Sequence, residues 1–221
     1  MKKFPLAKRL RKEYHRKVAY AQDLLVMEIY NVMSEVVLHG GTILWRCYGG
    51  NRFSEDIDAI IPVKYRDSVN IDVFRRRLLA LGFKEGKFRV KERSIYARFM
   101  YSGVEVRFEA VFKDVDRYVP VEYEMVDGTY IYIYTLPVEE ILVEKVDAYL
   151  SRRLVRDLYD IRLILDHVED VEKVRNAVIK LVENYIPPID EENLKLLIIS
   201  GVAPTAQKLI GEIRRWVGKN I

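Results

Sequence analysis

Residues 39–61 constrain this chain more than any other stretch of its sequence. They follow an apolar run at 36–38, break at Gly40-Gly41 and continue into a short helical pattern that starts at Thr42. Glycines let backbone N–H groups approach an anion closely, and the N-terminus of a helix attracts negative charge. The first half of the stretch therefore predicts a site that holds phosphate groups.

The second half of the stretch contains Asp56 and Asp58 in front of Ala-Ile-Ile, which is a strand pattern. Residues two apart in a strand point to the same side, so the two carboxylates lie together. Like charges repel, and such a pair calls for a cation, for which hard oxygen ligands suit Mg²⁺. The alternative is a helix cap followed by a solvated strand end, although aspartate is disfavoured in strands. A phosphate site followed so closely by a metal site indicates nucleotide chemistry.

The order of these two motifs resembles the signature of a known family. Gly-Gly-Thr, followed a dozen residues later by Arg-Phe-Ser-Glu-Asp-Ile-Asp, is similar to the nucleotidyltransferases of the AbiEii/AbiGii toxin type, in the DNA-polymerase-β-like nucleotidyltransferase superfamily. The resemblance implies attack of an acceptor hydroxyl on the α-phosphate of an NTP, with Mg²⁺ or Mn²⁺ as cofactor. It also implies five nucleotide-binding residues in this stretch: Gly40, Gly41, Thr42, Arg52 and Ser54.

The family's chemistry requires a third carboxylate from a neighbouring strand, joining Asp56 and Asp58 as catalytic and metal-binding residues. We assign it to Glu109, because Arg-Phe-Glu-Ala-Val resembles the corresponding strand of the family, where an aspartate is more usual. Glu105 shares the face of Glu109 and Arg107 and is the second choice. The alternative is a surface strand that merely alternates in charge.

A second block, Leu-Val-Glu-Lys-Val-Asp-Ala followed by Arg-Asp-Leu-Tyr-Asp, resembles the helical part of the same toxins. The resemblance covers about residues 36–165 and implies catalytic roles for Lys145 and Asp157. A lysine ammonium suits the terminal phosphates of the nucleotide, and Asp157 would orient it or the attacking hydroxyl. Arg156 and Asp160 are candidate supporting residues. Alternatively, these charges form ordinary salt bridges on helix surfaces.

Periodicity predicts an α+β fold in two domains. A nucleotidyltransferase-fold domain at 1–136 begins with a long amphipathic helix over about 6–35 and contains a mixed sheet with flanking helices, and a C-terminal helical domain occupies 137–221. The boundary is placed where the hydrophobic period changes near residue 137. Between the metal strand and this boundary we expect a helix at 65–81 and strands at 87–92, 95–101, 104–112, 121–126 and 130–136. Beyond it we expect helices at 138–151, 154–167, 170–184, 190–200 and 204–218.

The composition bounds the environment and the partners. The single cysteine, Cys47, excludes an internal disulfide and favours a reducing compartment. The basic N-terminus is not followed by an apolar segment of signal-peptide length, and no run approaches a membrane span, so we expect a cytoplasmic protein with no membrane partner. Abundant lysine, arginine and glutamate with only two glutamines points to a thermophile.

The first seventeen residues carry eight lysines and arginines against one glutamate. Such concentrated basicity favours an anionic partner, although a solvated helix end fits equally well. We therefore predict a metal-dependent toxin-type nucleotidyltransferase that modifies an RNA such as tRNA, with a cognate antitoxin as a further partner. The alternatives are nucleotidyl transfer to a small molecule or a protein, and a non-catalytic antitoxin or regulator on the same fold.

Overall fold

The computed structural model describes residues 5–33 and 35–221. These residues form two compact units. The first contains the described residues up to Cys47 together with Phe53–Leu136, and the second contains Tyr48–Arg52 together with Pro137–Ile221. The short segment that connects the glycine turn to the aspartate strand therefore packs with the C-terminal residues.

A seven-stranded mixed sheet forms the centre of the first unit in the described residues. In chain order its strands are β1 Val37–His39, β2 Asp56–Ile61, β3 Lys84–Lys91, β4 Ser94–Tyr101, β5 Val104–Phe112, β6 Val119–Glu124 and β7 Tyr130–Thr135. Their spatial order is β3-β4-β5-β2-β1-β7-β6. The aspartate strand β2 runs parallel to β5 and antiparallel to β1, and β1 runs parallel to β7. The sheet thus places the aspartates near its middle, between a strand that precedes them and one that follows.

The N-terminal helix differs from the prediction. The structure has a short α1, Leu6–Arg9, and then α2, Glu13–Val32, separated by extended backbone at Leu10 and Lys12, so a continuous helix over 6–35 was wrong. Leu10 is buried, and the N–H of Ala7 donates to the carbonyl oxygen of Val126 at 2.9 Å. This tertiary hydrogen bond and the burial of Leu10 outweigh the helical preference of the segment.

Three further helical segments complete the first unit. The glycine turn leads into α3, Gly40–Cys47, while the predicted helix over 65–81 divides into a 3₁₀ segment, Val63–Ser68, and α4, Ile71–Ala80. Asn70 causes the division, because its side chain caps α4 by accepting a hydrogen bond from the N–H of Val73 at 3.0 Å.

A buried arginine ties α2, α3 and β6 together. Arg46 is 2% exposed, forms an ion pair with Asp23 at 3.0 Å and donates to the carbonyl oxygens of Ala19 at 2.7 Å and Glu124 at 3.0 Å. Its guanidinium also lies 4.2 Å from the ring centroid of Trp45. One side chain therefore fixes the helix after the glycine turn against two other elements.

We expect Arg46→Ala to lower the free energy of unfolding by about 3–5 kcal/mol, because it leaves the carboxylate of Asp23 buried without its cation. Arg76→Ala, on the exposed side of α4, is the matched control and should change stability by no more than about 0.5 kcal/mol. Urea denaturation of both variants checks the difference, and equal midpoints would contradict the role given to Arg46.

The second unit is helical, as the sequence predicts. Its segment Tyr48–Arg52 contributes an isolated bridge between Arg52 and Ile198. The predicted helix at 190–200 is shorter than expected, a 3₁₀ turn at Glu191–Asn193 followed by one turn of helix. Among the described residues no helix is long and apolar enough to cross a membrane. The helices are α5 Val138–Arg152, α6 Val155–Ile164, α7 Val171–Glu183, α8 Leu194–Leu197 and α9 Ala206–Asn220.

Candidate active site

The turn between β1 and α3 requires a glycine at its first position. Gly40 has a φ of +79°, a conformation that favours glycine. A Cβ atom built on Gly40 would collide with the carboxylate of Asp58. The backbone at the start of α3 therefore lies directly against the second aspartate of β2.

Buried hydrogen bonds fix the chain where it enters β2. The hydroxyl of Thr42, only 1% exposed, donates to the main-chain oxygen of Asp56 at 2.5 Å. The side-chain amide of Gln22 donates to the main-chain oxygen of Ser54 at 2.9 Å. Thr42 and Gln22 thus position the aspartate strand, and the nucleotide-binding roles of Thr42 and Ser54 stay predictions. Nothing in the sequence pattern of α2 marked Gln22 for this role.

The three predicted carboxylates share one face of the sheet. Asp58 and Glu109 are register partners on the parallel strands β2 and β5, and Asp56 has Arg107 as its partner in the same register. Glu105, the second choice, lies opposite Met100 on β4. The register therefore places Glu109, rather than Glu105, beside the Asp-x-Asp pair.

Arg107 lies among these acids and offsets part of their repulsion. It forms an ion pair with Asp56 at 2.9 Å and approaches Glu109 to 3.8 Å. Partial burial raises the pKa of Glu109, the nearby charges of Asp58 and Asp56 raise it further, and Arg107 opposes the shift. The sequence placed Arg107 on this face but gave no signal that it would pair with the aspartate.

The donor set suits a divalent cation, because three carboxylates on one face supply hard oxygen ligands. In the described part of the chain, no group of three or more His, Cys, Asp or Glu side chains is gathered closely enough to hold a metal ion. Asp56 is instead paired with Arg107. Metal binding by Asp56, Asp58 and Glu109 stays a prediction.

We expect Glu109→Gln to raise the melting temperature at neutral pH in the presence of a chelator. Because its pKa is raised in the folded protein, ionised Glu109 lowers the free energy of unfolding. This loss of stability is fully present above the pKa of Glu109 in the folded protein and is absent below the ordinary carboxyl pKa. The gain should therefore disappear as the pH falls below about 4. Glu105→Gln, which removes an exposed acid from the same strand face, is the control and should give no such gain. A gain that persists at low pH would contradict the electrostatic explanation.

A second cluster of charges lies in the second unit, around Asp160 on α6. Its carboxylate accepts hydrogen bonds from Arg52 Nε and Nη2, both at 2.8 Å, and forms an ion pair with Lys145 at 2.8 Å. Burial alone would raise the pKa of Asp160, but Arg52 and Lys145 outweigh burial and hold the pKa below its ordinary value. Asp160 is thus the nearest carboxylate partner of Lys145.

Asp157, also on α6, is fully buried but has a different principal partner. Arg152 donates two hydrogen bonds to it, each at 2.8 Å, whereas Lys145 is 3.8 Å away. Arg156 is exposed. Arg52 makes a two-point contact with Asp160, and its role in nucleotide binding, like the catalytic roles of Lys145 and Asp157, stays a prediction.

We expect Asp160→Asn to lower the free energy of unfolding by about 3–5 kcal/mol, because it removes the carboxylate that pairs with the buried guanidinium of Arg52. Asp147→Asn, which breaks an exposed pair with Lys180 on the same unit, should cost at most about 1 kcal/mol. Thermal denaturation monitored by circular dichroism distinguishes the two. Equal losses would show that burial of the pair contributes nothing.

Comparison with known proteins identifies the family. A model of the nucleotidyl transferase AbiEii toxin family, assigned to type IV toxin–antitoxin systems, matches residues 31–209. The chain belongs to this family. It is therefore a nucleotidyltransferase of toxin type, and the resemblance read from the glycine turn and the Asp-x-Asp strand is confirmed. No curated protein matches the sequence significantly.

The chain is similar to solved structures of two other proteins, and the similarity to the first supports the fold. MenT4, a nucleotidyltransferase toxin from Mycobacterium tuberculosis H37Rv, matches with a TM-score of 0.66 and 20% identity, over 98% of this chain and 88% of that one. Cid1 poly(U) polymerase bound to MgATP matches with a TM-score of 0.38 and 14% identity, over 94% of this chain and 68% of that one. The likeness to MenT4 confirms the predicted mixed sheet with flanking helices and the helical C-terminal region.

Proposed function

We propose that this nucleotidyltransferase transfers a nucleotide from an NTP to a hydroxyl group of an RNA, such as a tRNA, with Mg²⁺ or Mn²⁺ as cofactor. One observation carries the metal-dependent part of this proposal. Asp56, Asp58 and Glu109 lie on one sheet face, with Asp58 and Glu109 in direct register on parallel strands. The negative charges of these three carboxylates repel one another, and a divalent cation would relieve that repulsion.

The proposed step is an in-line displacement at the α-phosphorus. A bond forms between the acceptor oxygen and the α-phosphorus, and the bond from the α-phosphorus to the bridging oxygen breaks. Pyrophosphate leaves with the bonding electrons, and the hydroxyl proton passes to solvent. Bound metal ions would stabilise the negative charge on the attacking and leaving oxygens.

The chain's own residues have distinct proposed roles. The three carboxylates would hold the cation, and Asp56 would exchange its ion pair with Arg107 for that cation. The backbone N–H groups at Gly40 and Gly41 bind phosphate oxygens of the nucleotide, because that turn lacks side chains that would block their approach.

Lys145 has the proposed role of a phosphate ligand. Its side chain is 12% exposed and its ammonium lies 2.8 Å from the carboxylate of Asp160, so its orientation is fixed before any ligand arrives. Arg52 and Asp157 are proposed to position this lysine through the buried network rather than to react. Positioning of this kind requires the buried carboxylate of Asp160 to stay charged, and the lowered pKa of Asp160 indicates that it does.

The acceptor assignment is supported by cations at the N-terminus. Lys8 and Arg11 are exposed, whereas Arg9 forms an ion pair with Glu124 and Arg16 donates to the carbonyl oxygen of Leu10. Lys2 and Lys3 lie outside the described residues. Exposed lysines and arginines favour a polyanion such as RNA, because binding releases counterions from its phosphates.

Toxin-family membership supports two further proposals. A cognate antitoxin is the proposed protein partner, and the cytoplasm is the proposed location, which agrees with the single Cys47. The charged, glutamine-poor composition supports a thermophilic source.

The test is transfer of label from each α-³²P-labelled NTP to total RNA, with Mg²⁺ or Mn²⁺ and then with chelator. We expect one or more NTPs to label an RNA band only when metal is present. Asp58→Asn should reduce labelling by at least about a hundredfold, because a lost metal ligand costs several kcal/mol of transition-state stabilisation.

Glu105→Gln is the matched control, since it removes an acid of the same sheet face outside the proposed metal site, and it should retain activity. Labelling that is equal in the Asp58→Asn variant, or insensitive to chelator, would refute the metal site. Transfer to a small molecule or a protein and to no RNA would refute the acceptor assignment alone.

A further inference from the structure

A cavity of about 300 Å³ opens on the sheet face beside the carboxylates, within the first unit. It lies over β3, β4 and β5, and its volume is at the lower end of the range for ligand pockets. The residues that give it chemical character are Lys87, Arg89, Lys91, Tyr96 and Glu109. None of them except Glu109 has a role in the site described above.

Three of these residues are cations on the edge strand β3. Lys87, Arg89 and Lys91 alternate along the strand, so their side chains point to the same face, and all three are exposed. Among the residues that the structure describes, none of the three is paired with a carboxylate, whereas Arg98 on β4 approaches Glu105 to 3.6 Å. Three positive charges therefore lie close together with no paired carboxylate among the described residues, which favours an anionic ligand.

The sheet register connects this surface with the proposed metal site. Arg89 is opposite Tyr96, Tyr96 is opposite Glu109, and Glu109 is opposite Asp58, which makes one row across four strands. Glu109 therefore separates the basic cavity from Asp58, whose other side adjoins Gly40. The cavity and the glycine turn lie on opposite sides of the carboxylates.

We infer that the surface formed by Lys87, Arg89, Lys91 and Tyr96 binds the single-stranded end of a nucleic-acid acceptor. This inference rests on the proposed function and assigns the acceptor side of the same site. In-line displacement requires the attacking oxygen and the leaving pyrophosphate on opposite sides of the α-phosphorus. A nucleotide held at the glycine turn leaves the cavity side of Glu109 for the attacking hydroxyl.

The spacing of the cations favours a chain of phosphates over one compact anion. Outward-facing residues of a strand recur about every 7 Å, so the three charges extend along a line of about 13 Å. Charges that converged on one point would suit a triphosphate better. A line of charges suits successive phosphates of a polynucleotide backbone, and such contacts carry little sequence information.

Tyr96 supplies the surface on which a base stacks. Its hydroxyl accepts a hydrogen bond from Arg98 Nε at 2.8 Å, and Lys87 Nζ lies 5.2 Å from its ring centroid. These two contacts fix the ring at the cavity before any ligand binds. Aromatic rings beside basic grooves bind single strands by stacking, with little preference among bases.

The test measures binding of a short fluorescein-labelled single-stranded oligoribonucleotide at several salt concentrations, without NTP or metal. We expect the triple variant Lys87→Gln/Arg89→Gln/Lys91→Gln to reduce the magnitude of the slope of log Kobs against log salt by about 2, because each single-strand phosphate contact contributes about 0.7. The control, Lys173→Gln/Arg175→Gln/Lys180→Gln on α7, changes the net charge equally and should leave the slope unchanged.

A second pair of variants tests stacking. Tyr96→Leu should weaken binding on the order of tenfold, whereas Tyr96→Phe, which keeps the ring, should bind like the parent protein. Calorimetric titration with a non-hydrolysable NTP should give the same affinity for all these variants. Circular dichroism establishes that each one folds.

The outcomes separate the inference from the proposed function. An unchanged salt slope in the β3 triple variant overturns the inference, whatever the transfer assay gives. In that case the cations only protect an edge strand from pairing with another chain. Equal binding by Tyr96→Leu and Tyr96→Phe also overturns it, because a surface that recognises charge alone suits an acidic protein segment. A reduced slope together with no transfer by the parent protein to any RNA refutes the proposed function alone.

Discussion

Repulsion among three carboxylates is the constraint on which the first unit depends. Asp56, Asp58 and Glu109 are held together because β2 and β5 run parallel in a register that leaves the acids side by side. A shift by one residue would turn the acids toward the core. The fold opposes the repulsion with Arg107, which pairs with Asp56 and approaches Glu109, and with hydrogen bonds from Gln22 and Thr42 that anchor the start of β2. The remaining repulsion favours a cation at the site.

Each unit contains a buried ion pair that is formed by an arginine. In the first unit Arg46 reaches Asp23 and two main-chain oxygens, and in the second Arg52 forms a two-point contact with Asp160. Buried ion pairs add little net stability, yet removing one partner is costly. Their contribution is therefore geometric. Arg46 fixes α3, which begins at the proposed phosphate site, and the Asp160 cluster fixes the ammonium of Lys145.

The sequence predicted the elements that carry the candidate site residues better than it predicted the residues that hold those elements in place. The glycine turn, the Asp-x-Asp strand and the change to helix at 137 were readable, because each depends on local chemistry or on a hydrophobic period. The break of the first helix at Leu10 was not, since it results from contact with residues more than a hundred positions away. Likewise Gln22 and Arg107 were recognisable only once the strand register was known. The alternating cations of β3 are visible in the sequence, but only the sheet register shows that they lie on the same face as Glu109.

The strand register also sets the order of the candidate site's groups across the sheet. Across the sheet, the glycine turn, Asp58, Glu109, Tyr96 and Arg89 follow in that order, so groups that suit a nucleotide's phosphates lie on one side of the acids and groups that suit a polynucleotide lie on the other. A transferase for two anionic substrates must keep them apart everywhere except at the reacting atoms, because their charges repel. In the proposed arrangement the backbone N–H groups of the glycine turn hold one substrate and the cations of β3 hold the other, and a cation bound at the carboxylates between them would allow the two substrates to meet.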